Sequence, residues 1–442
     1  MGNYIPSTES ERRKMLDLIG VSSLDALYDD LPSALERKRL DLPGGKSEWE
    51  VRARLEALAA RNKVFSAIFR GAGAYHHYIP ALVRQIPARE EFVTSYTPYQ
   101  AECSQGVLQS IFEFQTMMCE LTGLDVANAS VYDGASAAAE AVAMCRERKR
   151  LSVLASASSH PMVLSTIDTY CHAVGVEMRV VPVREGITDA DALAAMSEEL
   201  GDSFSCFYVQ QPNYLGLIED ARKLGEIVHA RGAKFVMGIN PVAAALLETP
   251  AECGADIAVG DAQPFGMPLS FGGPYLGFMT ATDAMMRKLP GRIVGQTTDV
   301  DGRRAFVLTL QAREQHIRRE RASSNICSNQ ALCALTASVY LTVMGPRGLE
   351  RVASHCYAKA HYAAERMGTL KGFERIYPGA FFHEFVTACP GEPAEVLSRL
   401  EENDILGGVP VDGGILWCVT EMNTREQIDR LVEVLRTMKG VA

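Results

Sequence analysis

The sequence predicts an α/β protein: a large domain on a mainly parallel sheet, a small α+β domain after it, and a helical arm before it. Three observations carry this. Short apolar, β-branched runs recur at 151–155, 178–183, 204–210, 235–239, 257–260 and 275–279. Helical segments separate the early runs, at 162–174, 189–200 and 219–230, and strands alternating with helices imply right-handed crossovers and parallel pairing. Gly345-Pro346 then breaks the chain, and the order changes to helix, strand, strand, helix, strand, helix. The expected boundaries are 1–65 for the arm, 66–345 for the large domain and 346–442 for the small one.

In the arm, 7–18 and 46–63 read as helices, with a short piece starting at Pro32. Between 65 and 104, Gly71, Gly73, Pro80, Pro87 and Pro98 break any period, and Tyr75, His76, His77, Tyr78, Tyr96 and Tyr99 make the stretch rich in rings. Val107, Ile111, Phe114, Met118 and Leu121 then recur at steps of four and three, one helical stripe suited to packing. The run at 275–279 follows a Gly-rich turn rather than a helix, so it is expected to run antiparallel. After Pro290 a basic connecting stretch leads into a long helical region to about Met344. Small-domain strands are expected near 373–377, 381–389 and 415–420.

Composition narrows the class. The 442 residues carry 44 Lys+Arg against 54 Asp+Glu, a net charge of −10, and that dispersed negative charge argues against nucleic acid as a partner. No run approaches the roughly 20 apolar residues of a membrane span, and the polar first thirteen residues lack the apolar core of a signal peptide. The 11 Cys are odd in number and form no C-x-x-C pair, against both a disulfide framework and a zinc cluster. They read as small buried hydrophobes in a reduced, cytoplasmic setting.

The chemistry begins at Asp133-Gly134-Ala135-Ser136, which follows a short run ending at Val131 and opens a small-residue helix. Such a helix start can hold a phosphate through its free N–H groups, or can simply be Asp-capped. In this α/β context it suggests a pyridoxal-phosphate (PLP) enzyme of the aspartate-aminotransferase type. That chemistry needs a Schiff-base lysine, an acidic partner for the pyridinium nitrogen and a ring stacked on the cofactor. His160 suits the stacking role. The acidic position after the 235–239 run is Asn240, however, and no Lys occurs between Lys234 and Lys288. An amide cannot carry the required negative charge, and no amine is in place. Covalent PLP chemistry within this chain is therefore not expected.

Three long blocks then carry a resemblance. They are Tyr96-Thr97-Pro98-Tyr99-Gln100-Ala101-Glu102-Cys103-Ser104-Gln105-Gly106, the stretch from Gly260-Asp261-Ala262-Gln263-Pro264-Phe265 to Gly272-Gly273-Pro274-Tyr275-Leu276-Gly277, and the stretch Leu310–Cys327 containing Arg313-Glu314-Gln315-His316 and Ser324-Asn325-Ile326. Through them nearly the whole chain resembles the N-terminal half of the glycine cleavage system P-protein. The resemblance implies a PLP-dependent transferase-like fold (aspartate aminotransferase fold type I) that lacks its own lysine. It also implies a partner, glycine dehydrogenase subunit 2, that holds the pyridoxal 5'-phosphate. Together they would decarboxylate glycine, with the partner's cofactor as electron sink, and pass the aminomethyl group to the lipoyl arm of H-protein. An α2β2 heterotetramer is implied, with the isolated chain inactive. The alternatives are a non-catalytic scaffold that stabilises subunit 2 or docks H-protein, and an independent PLP enzyme using an off-pattern lysine such as Lys234. Asn240 and the Asp261-Ala262 pair depart from the family pattern.

Within these blocks, Tyr96, Tyr99, Gln100 and Ser104 offer ring faces and hydrogen bonds toward the partner's site, or form only an interface loop. Arg313 and His316 could orient a carboxylate or phosphate, and Ser324 and Asn325 could bind cofactor. Arg318, Arg319 and Arg321 fit a solvated helix face, with Glu314 and Arg318 as an i,i+4 pair. His76-His77 reads as structural or interfacial, because neighbouring side chains point apart and no carboxylate or Cys stands at ligand spacing. No metal site is expected.

Overall fold

The structure, a computed structural model, describes residues 7–32, 42–95 and 98–438. It divides into two compact units, residues 1–64 and 65–442. In the first unit, helix Glu9–Ile19 starts at a capping box between Thr8 and Glu11, and helix Glu48–Ala59 at one between Ser47 and Glu50. Each box satisfies helix-end donors that would otherwise be open. Neither helix buries a residue, and Trp49 is 77% exposed, so local capping rather than packing defines them. The short piece expected after Pro32 falls largely on 33–41, outside the described residues.

The second unit is built on seven strands: β1 (Val126–Ala127), β2 (Ser152–Ser156), β3 (Met178–Val181), β4 (Phe204–Gln211), β5 (Lys234–Ile239), β6 (Ile257–Asp261) and β7 (Gly277–Ala281). Their spatial order is β1-β7-β6-β5-β4-β2-β3. Only β7 opposes its neighbours; β6, β5, β4, β2 and β3 pair in parallel. The expected antiparallel last strand is thus present.

Side chains alternate across this sheet as the two-residue strand period demands. Phe207, Phe235, Met237 and Phe278 join one core, with Phe114 and Met118 from helix Gln105–Thr122. Tyr208, Val236, Val259 and Met279 join the other, under the Ala-rich helix Gly134–Cys145. Both faces are covered, which is why these strands read as nearly continuous apolar runs. Small side chains on that helix let it lie close against the sheet: a Cβ added at Gly134 would stand 3.1 Å from both the Asp261 backbone N and its Cβ.

A third core is C-terminal, around Trp417, Phe373, Phe381, Phe385 and Leu431. It holds an antiparallel sheet of Glu384–Thr387, Gly414–Cys418 and Val409–Val411. Ala67 and Phe69 also belong to it, because Ala67–Ile68 pairs in parallel with Ile405–Leu406. Helix Ala331–Gly368 reaches this core after a break at Gly345 (φ 62°, ψ 174°), as Gly345-Pro346 indicated.

Three expectations need correction. The stretch after Pro290 is not continuously helical. Val294–Thr298 and Arg304–Leu308 form a hairpin, only short helical turns follow, and the long helix begins at Ala331. Residues 373–377 contribute a single bridge, Arg375 to Thr387, rather than a strand. The cysteines are not uniformly buried, since Cys103 and Cys327 are exposed.

Candidate functional site

A cleft of about 300 Å³ opens outside the carboxyl ends of β4, β5 and β6, where open α/β sheets commonly bind ligands. Gln210, Asn240 and Asp261 stand at those strand ends, and Asp133, His160, Tyr208 and Tyr275 are among the other lining residues. His160 is fixed between the Ala72 carbonyl, 3.1 Å from Nε2, and the Met162 N–H, 3.1 Å from Nδ1. That pattern makes the ring a neutral Nε2–H tautomer, and burial lowers its pKa.

The groups present do not fit PLP. Among the described residues no lysine lines the cleft, and Asn240 Oδ1 accepts from the Val242 and Ala243 N–H groups at 2.9 and 3.2 Å. The Tyr208 ring covers β5 at Gly238, where an added Cβ would lie 2.2 Å from the tyrosine hydroxyl. At the helix start, Asp133 accepts from the Ser136 N–H at 2.8 Å. Asp261 accepts from Gly134 N–H at 3.1 Å, Gln263 N–H at 2.9 Å and Leu276 N–H at 3.3 Å. Burial pushes the Asp261 carboxyl up from its ordinary value, against the pull of those N–H groups.

A second constellation gathers several residues singled out from sequence. Arg292 pairs with Glu314, and its guanidinium lies 5.1 Å from the centre of the Tyr99 ring. The Tyr99 hydroxyl donates to Asn329 Oδ1, and burial pushes the Tyr99 pKa up to about 12. His316 Nδ1 is 3.5 Å from Glu314. Arg313 adjoins this cluster, and its Nε and Nη2 are buried without a partner among the described residues, as are Arg292 Nε, Glu314 Oε1 and Asn329 Nδ2. Buried polar groups are nearly always bonded, so the open donors of Arg292, Arg313 and Asn329 favour an anion, while the open Glu314 Oε1 is an acceptor.

The other candidates stand apart. Gln100 is exposed on the turn before helix Gln105–Thr122, and its carbonyl accepts from the Ser104 N–H at 3.0 Å. Ser104 is buried at the start of that helix without capping it. Ser324 lines a separate small recess with Glu140, Arg146 and Lys288, and Asn325 is exposed. Tyr96 lies outside the described residues. The expected Glu314–Arg318 helix pair does not form: Glu314 turns inward to Arg292, while Arg318 donates to the Ala312 carbonyl. Arg292 and Asn329 were missed, and only the positive charge of Arg292 just after Gly291 could have drawn notice.

His77 is a further correction to the sequence view, because a carboxylate and a thiol do lie beside it. Its Nδ1 is 2.7 Å from Glu421, and the Cys356 thiol is 3.2 Å from the same oxygen. Both partners come from distant parts of the chain.

The model of the glycine cleavage system P-protein family matches residues 2–435. The chain belongs to this family. It is 48% identical over 442 residues to the Moorella thermoacetica protein named "Probable glycine dehydrogenase (decarboxylating) subunit 1", covering 98% of this chain and 99% of that one. The Desulfitobacterium hafniense protein of the same name is 47% identical over 448 residues, covering 99% and 100%. A crystal structure of glycine decarboxylase (P-protein) of the glycine cleavage system, in inhibitor-bound form, superposes with a TM-score of 0.91 at 42% identity over 98% of this chain and 99% of that one. A sphingosine-1-phosphate lyase from Burkholderia pseudomallei, at 14% identity, a TM-score of 0.66 and coverage of 91% and 93%, shares the fold. The PLP-dependent transferase-like fold class is therefore established.

Proposed function

We propose that this chain is subunit 1 of a glycine decarboxylase that works only with a second subunit bearing the lysine and the pyridoxal 5'-phosphate. The observation that carries the reading is the pairing of a family-wide match with a cleft that cannot take the cofactor. A complete fold without a usable cofactor site implies that the chemistry resides in a partner. On this reading the assembly is an α2β2 heterotetramer in the cytoplasm, glycine is the substrate, lipoylated H-protein accepts the aminomethyl group, and CO2 is released.

This chain's own contribution is the cluster around Arg292. Arg292 and Arg313 present guanidinium donors suited to a carboxylate or phosphate, and Glu314 holds Arg292 in place. Tyr99, braced by Asn329, supplies a ring face beside them. His316 and Gln100 lie at the exposed margin, where an approaching partner could meet them.

The test is glycine-dependent CO2 exchange with this chain alone, subunit 2 alone, and both together with H-protein. Exchange only in the full mixture supports the reading, and activity of this chain alone overturns it. The scaffold alternative is separated by Tyr99→Phe and Arg313→Met. Normal turnover in intact complexes carrying either variant would favour the scaffold.

A further inference from the structure

We propose that Asp261 is the residue that closes this chain's own cleft to phosphate-bearing cofactors, its carboxylate serving as a built-in anion in the place a phosphate would need. The inference concerns this chain alone and stands whether or not the subunit reading holds.

The argument starts from the backbone. A helix start presents unpaired N–H groups and a partial positive charge, and it attracts an anion when these are open. At helix Gly134–Cys145 the Gly134 and Ser136 N–H groups are already taken by carboxylates. Asp133, the N-cap, holds the Ser136 N–H at 2.8 Å and approaches the Ser136 hydroxyl at 3.2 Å. Asp261, from the end of β6, holds the Gly134 N–H at 3.1 Å. Its other oxygen accepts from Gln263 and Leu276. Three segments of the chain therefore converge their N–H groups on one carboxylate: the helix start, the turn after β6 and the approach to β7.

Geometry makes the arrangement exclusive. The helix start is pressed against the end of β6, where a Cβ at Gly134 would already crowd Asp261. The Asp133 carbonyl is equally tight against β7, 2.3 Å from a Cβ added at Gly277. A phosphate entering here would find these three donors already bonded and two carboxylates in its path. Like charges at such range disfavour a second anion. The cleft thus keeps the shape of a cofactor site with its anion position already filled.

The experiment measures binding of inorganic phosphate and of pyridoxal phosphate to the full-length chain by equilibrium dialysis and by ligand-induced change in Tm. It uses the native protein, Asp261→Ser and Asp261→Asn. The serine frees the amides and the cleft; the asparagine removes the charge while keeping an acceptor oxygen, and it carries the test if the serine variant does not fold. The expected result is no saturable binding to the native chain and a gain of at least about tenfold in affinity for both probes in a folded variant. Saturable phosphate binding by the native chain as tight as by the variants would overturn the proposal. So would folded variants that gain nothing.

Discussion

Arg292 and Glu314 form an ion pair whose side chains are only 15% and 4% exposed, with Tyr99 stacked over the guanidinium. Removing one member of such a pair strands the other charge, which typically costs more than the pair's net worth. Arg292→Met is expected to lower unfolding stability by roughly 3 kcal/mol, read as a shift in the denaturation midpoint. The double variant Arg292→Met with Glu314→Leu should recover much of the loss. A single variant as stable as the parent would show the pair to be solvated.

Arg313 tests the anion reading. Its buried Nε and Nη2 lack partners among the described residues, so an anion is expected to meet them in a reconstituted complex. Arg313→Lys keeps the charge and loses the planar fork. It should reduce kcat/KM for glycine in the reconstituted complex by about ten- to a hundredfold, with little change in Tm. An unaffected rate constant would assign Arg313 to structure alone.

Glu384 ties the segment after the arm to the C-terminal core. It accepts from the Ala72 N–H at 2.7 Å and the Tyr75 hydroxyl at 2.8 Å, and burial pushes its pKa up to about 7. A carboxyl whose folded pKa exceeds its unfolded value near 4.3 binds more protons in the native state, so stability falls as pH rises between those values and levels off above about 7. Glu384→Gln, which stays neutral, should flatten the slope of unfolding free energy between about pH 4.5 and 7, removing a change on the order of 3 kcal/mol. An unchanged slope would mean that Glu384 ionises freely.

Glu421 behaves oppositely. Burial alone would raise its pKa, but His77, the Tyr78 N–H and the Cys356 thiol together hold it at about 2. A depressed acid adds stability above its unfolded pKa and loses it as pH falls toward the folded value. His77→Ala should therefore destabilise the chain by about 2 kcal/mol at neutral pH and leave less to lose between pH 4.5 and 2. An acid-unfolding profile parallel to that of the parent would contradict this.

Gly216 sits at φ +85°, and a Cβ there would fall 2.0 Å from the Glu384 carbonyl oxygen. Gly216→Ala combines left-handed strain with a backbone clash. It should cost roughly 3 kcal/mol or more, seen as a lower Tm. A near-neutral effect would require the 213–217 turn to have moved.

The parallel sheet was legible because buried strands between helices leave apolar runs, and β4 and β5 matched their runs to within a residue or two at each end. The antiparallel β7 was legible from the missing crossover helix. The hairpin after Pro290 was not: Val294–Thr298 carries Gly, Gln and two Thr with mostly exposed side chains, so no apolar alternation marks it. For the site, Tyr99, Arg313 and His316 stood out by residue type. Arg292 and Asn329 did not, because their roles arise from contacts made across the fold. Asp261 was visible as a departure from the family pattern, but its hold on the Gly134 amide spans 127 residues and needed coordinates.

That hold has a thermodynamic consequence. A protein that binds a cofactor only when folded gains stability by mass action, so its melting point follows the free cofactor concentration. Here the corresponding anion is part of the polypeptide, at fixed stoichiometry and without an entropy of association. With Asp261 in that place, the Tm of this chain is expected to stay constant as pyridoxal phosphate is added.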